Sequence, residues 1–92
     1  MATRTALVSS AYTQVAADIS TLKLIQCPTL GSTRLRCIEL VAAAELPAVT
    51  VRGVELMAGE TITSGNIGDI GTSGKLYAKP AWGSSTGEVL TL

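Results

Sequence analysis

The chain has 92 residues, 47% of them apolar and only 15% charged, with seven basic side chains balancing seven acidic ones. That length supports one domain near the lower end of what a single core holds together. Zero net charge excludes a sequence-independent nucleic-acid binder, which needs a basic face to release counterions, and no apolar run reaches the 18–20 residues of a membrane span. Aromatics make up 3% and phenylalanine is absent, so the core must be built from Leu, Val, Ile and Ala. The charged fraction falls well below the typical value of about 25%. A partner that covers apolar surface is the simplest remedy; a monomer coated in Thr and Ser is the other.

In chain order, the first apolar run is Ala6-Leu7-Val8, shorter than the roughly 7–15 residues of a secretory h-region. The expectation is a protein made and folded in a cytoplasm. Residues 1–17 read as an N-terminal extended segment or arm, and 18–92 as a single β domain. Val15, Ile19 and Leu22 could share a helical stripe, but the Thr and Ser density of 11–22 favours an extended lead-in. Cys27-Pro-Thr-Leu-Gly-Ser-Thr33 is a turn region.

Arg34 to Ala42 opens with alternation, Arg34 and Arg36 opposite Leu35 and Cys37. The apolar phase then moves to Ile38, Leu40 and Ala42, a slip of the kind a bulge produces. Cys37 to Leu46 would also suit a helix ended by Pro47. A second slip is expected in Ala48 to Leu56, where Val49 and Val51 give way to Val54 and Leu56 after Gly53. Met57-Ala-Gly-Glu60 reads as a turn with Glu60 facing water, and 64–74 as a glycine-rich loop anchored only by Ile67 and Ile70. Leu76 and Ala78 then alternate with Tyr77 and Lys79. Pro80 lacks an N–H for the ladder, so it ends the strand or marks a sheet edge. Ala81 to Gly87 forms a turn containing Trp82, and Glu88 to Leu92 a closing strand. Short strands punctuated by Gly and Pro turns indicate an all-β fold, a small antiparallel β-sandwich or barrel.

Catalytic patterns are sparse. Without histidine the Ser-His and Cys-His nucleophile arrangements are closed. Ser73 and Lys75 sit in a glycine loop, where such a pair reads as solvated surface. Gly68 to Lys75 only superficially follows a phosphate-binding loop: Asp69 stands where the first glycine belongs, and Leu76 where the Mg²⁺-holding hydroxyl belongs. The carboxylates Asp18, Glu39, Glu45, Glu55, Glu60, Asp69 and Glu88 are dispersed with no metal-ligand spacing. Cys27 and Cys37 cannot complete a zinc site alone. They read as small buried hydrophobes, with a disulfide between neighbouring strands as the alternative. The expectation is no enzyme, no cofactor, no metal, no nucleic acid and no membrane.

The tract AYTQVAADIS, the strand RLRCIELVAA, the acidic-glycine turn within VELMAGETIT, a glycine-rich loop, GKLYAKPAWG and GEVLTL follow one another in an order that resembles small β-rich virion proteins of tailed bacteriophages. The likeness is one of layout, covers roughly two thirds of the chain, and is broken by Ala-rich sequence ahead of Pro47-Ala-Val-Thr-Val51. It implies a structural virion protein of the head-decoration or minor-capsid type, usually a trimer, whose partners are the major capsid protein and copies of itself. A tail or fibre component or receptor-binding adaptor, and a non-viral β-type interaction module, are the alternatives. The subunit contact is expected at Tyr77, Lys79, Pro80 and Trp82, aromatics and neighbours at a strand end facing away from the core.

Overall fold

A computed structural model describes residues 3–27, 37–57, 59–81 and 86–92. Among these residues eight strands run in the order β1 (Thr3–Val8), β2 (Thr13–Ala16), β3 (Leu24–Gln26), β4 (Cys37–Ala43), β5 (Val54–Met57), β6 (Thr61–Thr63), β7 (Lys75–Pro80) and β8 (Thr86–Thr91). A single helical turn, α1 (Ser64–Ile67), follows β6, and a 3₁₀ turn occupies Ile19–Thr21. The strands form two four-stranded sheets, sheet I in the order β1-β8-β3-β6 and sheet II in the order β2-β7-β4-β5. Every strand pair is antiparallel. The all-β sandwich follows from the period-two pattern, which gives each strand one apolar face to bury.

Between the sheets lie Leu7, Ile25, Cys27 and Val89 from sheet I or its margins and Val15, Ile38, Leu40, Leu56, Leu76 and Ala78 from sheet II. Ile19 and Ile67 join the same cluster from outside the strands. Full burial of an aliphatic side chain contributes about 1.5–3 kcal/mol relative to exposure, and seven large ones here are essentially inaccessible. The core therefore rests on aliphatics, as the composition requires.

Residues 3–16, expected as an extended segment or arm, are extended but woven in: β1 pairs with β8 and β2 with β7. Within 11–22 only Ile19–Thr21 is helical, and Asp18 caps that turn by accepting the Ser20 N–H at 3.0 Å. Residues 37–43 are strand, not helix, because β7 and β5 flank them on both sides. β4 keeps one register from Cys37 onward, and the slip expected between Arg34 and Ile38 rests on positions outside the described residues. A register shift lies in β2, between Gln14 and Ala16. The slip expected in Ala48 to Leu56 is absent, since 48–53 is not a strand and β5 begins only at Val54. Arg34, Leu35 and Arg36 lie outside the described residues, as does the side chain of Cys37. Cys27 is buried, as its reading as a small hydrophobe required.

Candidate interaction surface

The two outer faces of the sandwich differ. In sheet II the register sets Lys79 opposite Glu39 and Glu39 opposite Glu55, with Tyr12 just ahead of β2 on the same side. Such a row would normally be solvated, yet Glu39 is only 4% exposed. The reason is the segment 44–53, which leaves β4 and crosses the outer face as a strap before entering β5. A turn closes at Val51 N–H to the Ala48 carbonyl. The Tyr12 hydroxyl donates to the Val51 carbonyl.

One carboxylate fastens this strap. Glu39 accepts the Gly53 N–H at 3.0 Å, while Lys79 Nζ lies 3.5 Å and Arg52 Nε 3.9 Å from its oxygens. Arg52 also reaches Glu55 at 3.6 Å, which offsets the like charge facing Glu39 across the strands. The Lys79 ammonium sits 5.4 Å from the centre of the Tyr12 ring, within cation–π range. Gly53 is required by close approach: a Cβ there would lie 2.5 Å from the Leu40 carbonyl oxygen and 2.8 Å from Val41 Cγ2. Burial, and secondarily the negative charge of Glu39, raise the Tyr12 pKa above 10.0, against a smaller opposing effect of Arg52. The hydroxyl therefore stays a donor to the strap at neutral pH.

The strap exposes Leu46 by 62% and Val49 and Val51 by about two fifths, interleaved with exposed Glu45, Thr50 and Arg52, and β5 adds the exposed Val54 and Met57. Five of the seven exposed large hydrophobics among the described residues thus fall between 46 and 57, the other two being Val8 and Leu92.

The residues expected at the subunit contact are placed as follows. Leu76 and Ala78 face the core and Tyr77 and Lys79 the opposite side, as the alternation predicts. That opposite side is covered: Tyr77 is 4% exposed and the Lys79 side chain 14%, both on the face the strap crosses. Pro80 is buried as the last residue of β7, an interior strand, so it ends a strand and does not mark an edge. Its ring lies against the position of Gly87 in β8. Trp82 lies outside the described residues. Tyr77 and Lys79 are thus covered on the outer face of sheet II, while Pro80 packs on the inner side toward sheet I. The surface hydrophobics Leu46, Val49 and Val51 belong to a stretch whose valines suggested a strand. Pro47 and Gly53, which bracket it, were the available sign of a non-strand segment.

At one end of the sandwich, Ile19, Ser20, Leu22, Ser64, Ile67, Gly68, Gly71 and Thr72 line an open hollow of about 240 Å³. Among the described residues no titratable side chain lines it. The glycine-rich stretch 64–74 contributes α1, with Ile67 buried and Ile70 half-buried as its apolar anchors. Gly74 takes a left-handed φ of 95°, and its carbonyl accepts the Ile19 N–H at 2.8 Å. Among the described residues no group of three or more His, Cys, Asp or Glu side chains is placed to hold a metal ion. The chain matches no family model, no curated protein and no solved structure.

Proposed function

We propose that the chain is a structural virion protein of a tailed phage that decorates or cements the capsid exterior, working by adhesion to the major capsid protein and to copies of itself. The observation that carries this reading is the strap: Leu46, Val49 and Val51 lie exposed on a segment fastened by a buried polar anchor. An adhesive subunit needs a fixed surface more than a deep pocket, because immobilising a loop beforehand removes part of the ordering cost of binding. Low charge and a small aliphatic core suit a protein whose folded state gains stability from the assembly it joins. The resemblance in layout to small phage virion proteins supplies the biological setting.

Co-sedimentation with purified DNA-free shells tests the reading. Wild-type protein is expected to bind at a fixed ratio to the shell's local symmetry. Substituting Leu46→Asp together with Val49→Asp, both exposed, is expected to weaken binding at least about tenfold while leaving the fold intact. Failure of the wild type to sediment with shells refutes the capsid role, and full binding by the variant removes the strap from it.

A further inference from the structure

A two-sheet sandwich has four sheet edges, and each presents backbone N–H and C=O groups that can template another strand. Three of the four are guarded here. The β2 edge carries the register shift between Gln14 and Ala16, which breaks its ladder. At the β5 edge the Met57 N–H is already occupied by the Glu60 carboxylate at 2.7 Å, and self-pairing centred on Glu55 would oppose like charges. The β6 edge is three residues long and runs directly into α1.

β1 has none of these devices. It pairs with β8 in unbroken register over six residues, from Thr3 opposite Thr91 to Val8 opposite Thr86, without a bulge or a proline. Among the described residues no strand lies on its other side. Thr3, Arg4, Ala6 and Val8 are exposed, Val8 by 51%. Its only charge, Arg4, forms an ion pair with Glu88 on β8, inside the sheet and away from the edge.

The geometry points to β1 as the strand through which two copies of this chain pair antiparallel about a two-fold axis, joining their sheets I into one continuous eight-stranded sheet. The edge is self-complementary in the register centred on Ala6. Ala6 meets Ala6 of the partner, Thr5 meets Leu7, and Arg4 meets Val8. A two-fold axis normal to the sheet keeps inner residues facing inner and outer facing outer, as the pleat requires. The two Arg4 side chains fall four residues apart along the ladder, about 14 Å at the rise of an antiparallel strand, and each keeps its own Glu88. No like charges face each other, and the exposed Val8 gains cover. Main-chain hydrogen bonds supply the attraction, as in strand addition generally. This pairing stands on the edge alone, whether or not the protein binds shells.

Native mass in solution tests it, read by light scattering or native mass spectrometry. The wild type is expected at twice 9.4 kDa. Ala6→Lys combined with Val8→Lys sets lysine opposite lysine and opposite Arg4, and is expected to weaken the dimer about 10–100-fold. Both positions are exposed, so the thermal midpoint of the dissociated variant should remain that of a folded domain. Ala6→Cys, oxidised mildly, is expected to trap a covalent dimer that wild-type protein, carrying only Cys27 and Cys37, does not form. A wild-type mass of 9.4 kDa at high concentration overturns the inference. So does a dimer or trimer that survives the lysine substitutions, or an Ala6→Cys protein that cross-links no more than the wild type. A monomer that still decorates shells would refute the β1 pairing and leave the virion role standing.

Discussion

Removing the carboxylate of Glu39 is the sharpest probe of how the strap is held. Glu39→Gln keeps the shape but strips the negative charge from a site 4% exposed, beside a Lys79 side chain 14% exposed. Two costs follow. The Lys79 ammonium loses its carboxylate at 3.5 Å with little water to replace it, and the Gly53 N–H exchanges a charged acceptor at 3.0 Å for a neutral one. Breaking a buried ion pair from one side costs about 3–5 kcal/mol, and the residual access of Lys79 and the exposure of Arg52 bring the expectation to roughly 2–4 kcal/mol. In a domain of this size that corresponds to a fall in Tm of about 10–25 °C. Urea unfolding followed by far-UV circular dichroism measures the change in stability. Limited proteolysis reports whether 44–53 opens first. Adding Lys79→Met should recover part of the loss, since the stranded ammonium is then gone. A loss below about 0.5 kcal/mol for Glu39→Gln, or no recovery in the double variant, would show that apolar contacts alone hold the strap and that the anchor is incidental.

Two further perturbations test the same region. Gly53→Ala pushes a methyl group to 2.5 Å from the Leu40 carbonyl oxygen, a backbone atom that cannot rotate away, and should cost about 1–3 kcal/mol in guanidinium unfolding. Gly65→Ala, whose added methyl meets nothing within 4 Å, is the control and should be neutral or slightly stabilising. Alkaline titration tests Tyr12. Its folded pKa is raised above 10.0, so its contribution is fully present below pH 10 and is lost as pH rises through the higher folded value. Tyr12→Phe should remove that alkaline loss and cost about 1 kcal/mol at neutral pH, read from unfolding curves across pH 8–11. An unchanged alkaline limb in Tyr12→Phe would assign the loss to other groups.

The sandwich was legible because its inner faces obey a period of two. Leu76 and Ala78 in β7 and Ile38, Leu40 and Ala42 in β4 could be assigned to the core from alternation alone. The strap was not legible, because its valines have strand propensity and its actual conformation is set by distant partners. Tyr12, 39 residues away, holds Val51, and Glu39, 14 residues away, holds Gly53. A propensity worth a fraction of a kcal/mol yields to such contacts. The same distance explains why nothing in the sequence marks Glu39 as buried: its position in β4 is outward, and only the returning chain buries it. Tyr77 and Lys79 were assigned to the correct face and the wrong environment for that reason.

Why the strap exposes Leu46, Val49 and Val51 is a separate question from why it exists. Covering Tyr77 and the Glu39 cluster needs a segment whose inward groups fit, and polar residues on its outer side would serve solubility better. Ordering ten backbone residues costs about 1–2 kcal/mol each in conformational entropy, and in the single chain Leu46, Val49 and Val51 return little of it, since they remain exposed. Sheet I shows the alternative solution. Its bare outer face carries the Gln26–Thr61 hydrogen bond and the Arg4–Glu88 ion pair, polar groups that a solvated sheet uses. The sheet II side adds exposed Leu46, Val49 and Val51 on a tethered support, which the sheet I face does not have. That asymmetry is what a subunit needs when one side meets solvent and the other meets a neighbour. The two proposals assign the surfaces separate roles: in the proposed pairing the β1 edge joins like to like through backbone, and in the proposed function the strap offers side chains to a different partner.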